Sequence, residues 1–313
     1  MASIYSGRGA AVGAGEESTW GTAVARSAWR PLISSNLLRT IERIPRPNLQ
    51  TGATGVMRRS HLTASDNAGG TCSIEQTYEN TGIWLKHLMG AVTTTGSGPY
   101  THTYTLGTLP TGLTIENVRG TGTSEVFEGC RIASGSFAIS SGGVMAMDFD
   151  VIAETSAARG TAATPSYGAG DTVVLHSHAG QFGFNSASYD LVSMSLTVNN
   201  ALARRQLLGS AVTKQPLRSD FQSVELSVEI EVEDALYAAL LADTQGDATI
   251  TFTSGALSAA FVIQNAYLTA ASDPVTSAGI ISQSLTFVGE SDGTDEGLSI
   301  AIVNANSSAI TGG

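Results

Sequence analysis

SVELSVEIEVEDALYAALLA, residues 223–242, decides how the rest of the chain is read. Val224, Leu226, Val228, Ile230 and Val232 hold the even positions, and Glu225, Ser227, Glu229, Glu231 and Glu233 the odd ones. A period of two puts the apolar side chains on one face of a strand and the carboxylates on the other. Asp234 then offers a side-chain acceptor to the free amides of a helix start, and Leu236/Leu240 and Tyr237/Leu241 are apolar i,i+4 pairs. The spacing predicts a half-buried strand running directly into a short helix.

TCSIEQTYENTGIWLKHLMG, residues 71–90, repeats this plan. With Asn80 set on Asp234, Glu79 falls on Glu233, Glu75 on Glu229, Ile74 on Val228 and Cys72 on Leu226, and Trp84/Leu88 and Leu85/Met89 supply the helical pairs. Gln76 interrupts the apolar face, and Gly82 weakens the helix by about 1 kcal/mol. The two stretches read as diverged copies of one supersecondary unit.

The whole chain fits that reading. Its 313 residues, 42% of them hydrophobic, can bury a core, while 35 glycines and only 14% charged residues describe a turn-rich β protein. Sixteen basic against twenty-seven acidic residues give a formal charge of -11, which argues against gripping nucleic acid phosphates or an anionic membrane. MASIYSGRGAAVGAGEESTWG lacks the basic start and apolar centre of a secretory signal, and no run approaches the ~20 apolar residues of a membrane helix. Folding in a cytoplasm is the expectation. Cys72 and Cys130 are too few for a disulfide framework and read as small core residues.

Taken in order, residues 1–27 lack a sustained period and are expected to form a flexible assembly arm. Its Trp20 packs either on another subunit or back on its own domain. Residues 28–154 form the first β unit, 155–178 a linker by composition, 179–290 the second β unit and 291–313 a C-terminal tail in which LSIAIVNA is a candidate last strand. Both units end in a hairpin, the first alternating Phe137 and Ile139 with Met145, Met147, Phe149 and Val151 across Ser141-Gly142-Gly143. Each unit also has a basic loop ahead of its acidic strand, with Arg46, Arg58 and Arg59 in the first and Arg204 and Arg205 in the second. Such charge is either simply solvated or complementary to acids on a stacked neighbour.

Motifs for chemistry are weak. His176-x-His178 lacks companion ligands, SDGTDEG from Ser291 lacks the spacing and final Glu of an EF-hand, and Gly13-Ala14-Gly15 opens no phosphate cradle. Neither a zincin nor a Walker motif is present. No catalytic, metal or cofactor-binding residue is assigned, and the chain is not expected to be an enzyme.

GEESTWGTAVARSAWRPLISSNLLRTIERI, PYTHTYTLGTLPTGLTIENVRG, VFEGCRI and VELSVEIEVEDALYAALLA, in that order, resemble the tail tube (major tail) proteins of long-tailed, siphovirus-like bacteriophages. The resemblance runs from about Gly13 to Glu290, and Ser18 departs from it by standing between the acid pair and Thr19. It implies an all-β fold with short flanking helices, a duplicated tail-tube-type β-sandwich or barrel unit closing into a ring. Rings would stack into a tube, part of the virion assembled in the host cytoplasm, through which DNA passes without specific binding.

Two copies per chain favour a trimeric, pseudo-sixfold ring over a hexameric one. Tape measure, tail terminator and distal tail proteins are the implied partners. On that reading Glu75, Glu225, Glu229 and Glu231 face the lumen, the alternative being an outer solvent face. Trp20, Arg46, Arg58, Arg59, Arg204 and Arg205 are the candidate contacts between rings, and an armless chain should fold but not polymerise. The other readings weighed are a β-sandwich virion decoration protein and a cell-surface carbohydrate-binding or adhesion protein.

Overall fold

The computed structural model describes residues 7–45, 61–120, 122–168, 170–232, 234–272, 281–293 and 296–310. In the first half β1 is Ala11–Glu17, β2 Ala28–Ser35, β3 Leu38–Pro45, β4 His61–Glu75, α1 Gly82–Met89, β5 Gly90–Thr95, β6 Tyr100–Leu106, β7 Gly112–Val118, β8 Ser124–Ser140, β9 Ala146–Ala153 and β10 Thr155–Ser156. In the second, β11 is Phe182–Phe184, β12 Ala187–Tyr189, β13 Leu191–Asn199, β14 Leu202–Arg205, β15 Lys214–Arg218, β16 Ser223–Glu231, α2 Asp234–Leu241, β17 Gln245–Ser254, β18 Leu257–Ser272, β19 Ser282–Gly289 and β20 Ser299–Asn304. The all-β class with two short helices is as the composition and periodicity predict.

Six strands close a barrel in the order β1, β2, β4, β9, β8, β7 and back to β1, every step antiparallel. The second half follows the same order: β11, then β12 running through Asp190 into β13, then β16, β19, β18, β17 and back to β11. β-bulges make the equivalence residue by residue, since an extra residue in a ladder is a placed feature. One lies between Leu32 and Ser34 and again between Leu191 and Ser193. Another separates Ile132 from Ser134 and again Leu268 from Ala270. A third sits where Cys130 and Phe127 pair with Leu113 and Ile115, and again where Ala266 and Ile263 pair with Gly246 and Ala248.

This frame corrects the sequence alignment. Ile132 on Leu268 carries, through the shared ladders, Cys72 onto Val228, Ile74 onto Ile230 and Glu75 onto Glu231, two positions beyond the ungapped match. The cause is an insertion: six residues separate Glu75 from Gly82, but only two separate Glu231 from Asp234. Because the slip is an even number, the apolar and acidic faces were still read correctly. The α1 cap is Thr81 rather than Asn80, and Asp234 lies inside the first turn of α2. Gln76, rather than spoiling the apolar face, is buried and donates to Thr77 O at 2.7 Å and Thr81 Oγ1 at 3.0 Å, tying strand end to helix start.

Of the segment expected as a flexible arm, the described residues, 7–27, are not free. β1 is buried and pairs along both edges, with β2 and with β7. Its Gly and Ala content serves close approach: a Cβ on Gly13 would lie 2.8 Å from the Trp29 ring, and one on Gly15 2.3 Å from Ala25 O. The buried carboxylate of Glu17 accepts from Gly129 N, Thr114 Oγ1 and Gly21 N, each at 2.9 Å. The composition-based linker is also packed: Val174 is buried, its N–H donates to Gln76 O at 3.0 Å, and its carbonyl accepts from Met145 N at 2.9 Å. The His176-x-His178 pair sits in a 3₁₀ turn rather than on a strand face. Residues 299–304 are a strand, as LSIAIVNA predicts.

The halves share one core. Phe137 of β8 meets Phe261 of β18 at 5.4 Å between ring centroids, and Trp84 of α1 stacks on Phe149 at 5.4 Å. β8 pairs with β13, and β20 bridges β18 to β6. Asn200 Nδ2 adds a tie to Leu88 O at the end of α1, 2.9 Å away. α1 is buried beneath β5, β6 and the C-terminal residues, with Tyr104 Oη donating to Ala309 O at 2.8 Å. α2 buries only Leu236, and leaves Leu241 72% exposed.

A strap joins β1 to α1, with Lys86 Nζ donating to Glu16 Oε1 at 2.6 Å. The His87 imidazole, 3.6 Å away, and then Lys86 hold the Glu16 carboxyl down at about 2, against the cost of burial. The folded chain thus binds this proton more weakly than the unfolded one, so the strap contributes fully above about pH 4.5 and is lost as the pH falls toward about 2. Glu16→Gln is expected to flatten that acid limb of the stability profile, read as the urea midpoint against pH.

Candidate functional site

Eight strands form one continuous antiparallel sheet across both halves when β2 and β3, which follow the same edge of β4, are counted together. Its order is β2–β3, β4, β9, β8, β13, β16, β19, β18. One register row runs Ile74, Met147, Phe137, Leu196, Leu226, Phe287, Leu268, all buried. The neighbouring row, turned to the other face, runs Ser73, Asp148, Ser136, Thr197, Glu225, Val288, Tyr267. Period-two alternation therefore converts hydrophobic patterning directly into a sheet with a dry face and a polar one.

Glu75, Glu225, Glu229 and Glu231 all lie on that polar face, as the strand patterns predict. Asp148 and Asp150 of β9 join them. The sequence carried the signal for both, since they alternate with Met147, Phe149 and Val151, but β9 was read for its apolar side alone. No Lys or Arg occurs in residues 70–75, 134–140, 146–150, 193–199, 223–231 or 282–288, whose polar positions are otherwise filled mostly by Ser and Thr.

Neutral partners flank four of the six acids in register: Ser73 and Ser136 beside Asp148, Thr71 and Ser134 beside Asp150, Thr197 and Val288 beside Glu225, Ser193 and Ser284 beside Glu229. Direct opposition of like charges, which destabilises a ladder, is thereby avoided. Ser193 Oγ donates to Glu229 Oε2 at 3.3 Å. Such a face is dominated by negative charge and repels a polyanion, with Arg131 opposite Ile152 at one margin and Arg204 close enough to Asp150 to feel its charge.

Of the six residues expected between rings, the structure describes three. Trp20 packs on its own chain, against Gly112 and Gly129, with the Arg131 guanidinium 5.9 Å over its ring. Arg204 reaches within the chain to Ala68 O, 2.9 Å away, and Arg205 to Gln215 O at 3.4 Å. Arg46, Arg58 and Arg59 fall outside the described residues. The two long hairpins also expose apolar side chains among charged ones: Ile44 and Leu62 beside Glu42 and Arg43 on β3–β4, and Leu207, the fully exposed Leu208, and Leu217 beside Lys214 and Arg218 on β14–β15. Attention to the arginines in ARRQLLGS passed over the two leucines beside them.

Among the described residues no three His, Cys, Asp or Glu side chains are grouped to hold a metal ion, and no helix is long and apolar enough to cross a membrane. In comparisons with known proteins, a family model described as phage tail tube protein matches residues 7–289. No curated protein matches the chain.

Proposed function

The chain belongs to the phage tail tube protein family, and from that premise we propose that it polymerises as stacked rings into a conduit that delivers DNA into the host cell. The observation that carries this reading is the eight-stranded sheet, packed on one face and bearing on the other six carboxylates within stretches of strand, 70–75, 134–140, 146–150, 193–199, 223–231 and 282–288, that hold no Lys or Arg of their own. Turned inward, that face lines a water-filled bore with charge of the same sign as DNA, so the duplex slides instead of binding. Matching cyclic order in the two halves supports a ring of three chains, each supplying two units to a pseudo-sixfold whole. The apolar side chains on the two long hairpins then serve, beside the arginines, as contacts between rings. The subunit is structural and not catalytic; it assembles in the host cytoplasm, and tape measure, terminator and distal tail proteins bound the tube.

Electron microscopy of the assembled protein tests this. The expected result is a hollow tube of three chains per ring with Glu75, Asp148, Asp150, Glu225, Glu229 and Glu231 on the inner wall. Six chains per ring would remove the pseudo-sixfold argument and leave the tube. Carboxylates on the outer wall would remove the lumen assignment.

A further inference from the structure

The eight-stranded sheet ends on two edges without a partner strand among the described residues. On β18, pairing with β17 stops at Tyr267, and Ala270 to Ser272 are hydrogen-bonded only toward β19. On β3, pairing is with β4 alone. Asn36 N donates to Thr71 O at 2.8 Å, so by the alternation of an antiparallel ladder Leu38 and Thr40 also turn their backbone groups to β4. Arg39 and Ile41 turn theirs outward.

The same two edges have already met once inside the chain. β8 joins β13 with Ser136 opposite Thr197, Gly135 opposite Val198 and Ser134 opposite Asn199, and Asn200 N donates to Ala133 O at 2.8 Å. The bulges fix what these residues correspond to in the other half. The bulge residue Ala133 falls on Thr269, so Ser134, Gly135 and Ser136 fall on Ala270, Ala271 and Ser272. The bulge at Ile33 falls on Val192, so Thr197, Val198 and Asn199 fall on Leu38, Arg39 and Thr40, and Asn200 on Ile41.

We infer that β18 of one copy pairs antiparallel with β3 of the next in the register of the internal seam: Ala270 opposite Thr40, Ala271 opposite Arg39, Ser272 opposite Leu38. Ile41 N–H then donates to Thr269 O, as Asn200 does to Ala133. This seam rests on the ring reading and gives it its contact residues. Three observations agree with it. Strand direction alternates through eight antiparallel strands, so the two end strands meet antiparallel across copies, as β8 and β13 do. Ala270, Ser272, Leu38 and Thr40 are exposed in the single chain. Outward-facing Arg39 and Ile41 supply the donors and acceptors that an unpaired edge leaves open.

The test is full-length protein carrying Ala270→Cys and Thr40→Cys. Across the seam this is a non-hydrogen-bonded pair, with Cβ atoms about 4.5–5.5 Å apart and close to disulfide reach. Cys72 and Cys130 are buried, and burial pushes the Cys72 thiol up to about 12, so neither competes. Mild oxidation of assembled rings is expected to convert most chains to covalent trimers on a non-reducing gel, while each single variant runs as monomer. Ser272→Cys with Leu38→Cys is the second pair, read the same way. Ser134→Cys with Asn199→Cys, across the internal seam, checks that such a pair oxidises. Rings that stay uncrosslinked while this control closes overturn the seam and leave the tube reading intact. A wild-type chain that forms neither rings nor tubes overturns the ring reading, and the seam with it.

Discussion

A chain lacking residues 1–26 is expected not to fold, rather than to fold and fail to assemble. β1 is a stave of the first barrel, hydrogen-bonded on both edges, and its removal opens the ring between β2 and β7. It also exposes the buried Trp29, Leu113 and Ile115 and removes the Glu17 carboxylate from Gly129 N and Thr114 Oγ1. Arg26 leaves with the segment, and its partner Glu116 is buried, so one uncompensated charge costs about 3–5 kcal/mol. That loss alone takes a large share of the roughly 5–15 kcal/mol that holds a typical domain folded, before any apolar exposure is added. Circular dichroism melting and gel filtration check it. A truncated chain that elutes as a compact monomer and melts cooperatively near the full-length temperature would return β1 to the status of an arm.

Reversing the acidic strand should have the largest functional effect. Glu225→Lys, Glu229→Lys and Glu231→Lys together change only residues on the polar face of β16, so the fold and the tube are expected to persist. The bore then presents cations to phosphates, and each contact formed steepens the dependence of binding on salt by about 0.9 in log–log slope. Tubes of this variant are expected to hold short duplex DNA at low salt, protected from nuclease, and to release it as salt rises; phage built from them should stall in ejection. Glu→Gln at the same three positions separates loss of repulsion from gain of attraction. Bound DNA that nuclease digests freely would mean the strand lies on the outside.

Residues 223–242 show what was legible in the sequence. Strict alternation followed by i,i+4 pairs left one interpretation, and both strand and helix lie where the pattern puts them. Four of the six acids on the polar face came from the same rule, and Asp148 and Asp150 were open to it. What failed was anything that depended on contacts distant in sequence. Gly13, Ala14 and Gly15 look like a hinge by composition, and only the Trp29 ring and Ala25 O lying against them show why small residues are needed there. TSAARGTAATPSYGAG looks like a tether until Val174, just beyond it, is seen locked between Gln76 and Met145. The register of the duplication slipped because strand and helix were matched with one offset across an insertion, and a period-two pattern cannot report an error of two.

The unequal helices carry a consequence for symmetry. The two halves share strand order and bulges, but α1 is roofed by β5, β6 and the C-terminal residues, while α2 packs on β18 through Leu236 and leaves Tyr237 and Leu241 exposed. In a closed ring of three chains the strand order would therefore repeat six times around the axis, while the outer surface would repeat only three times. A cargo inside would meet the same strands every sixth of a turn but the same charges only every third, since Glu75 alone matches an acid, Glu231, in the other half, while Asp148 and Asp150 fall on Ser284 and Thr286. One chain would thus set two different counts, one for backbone and one for charge and outer surface, on the same ring.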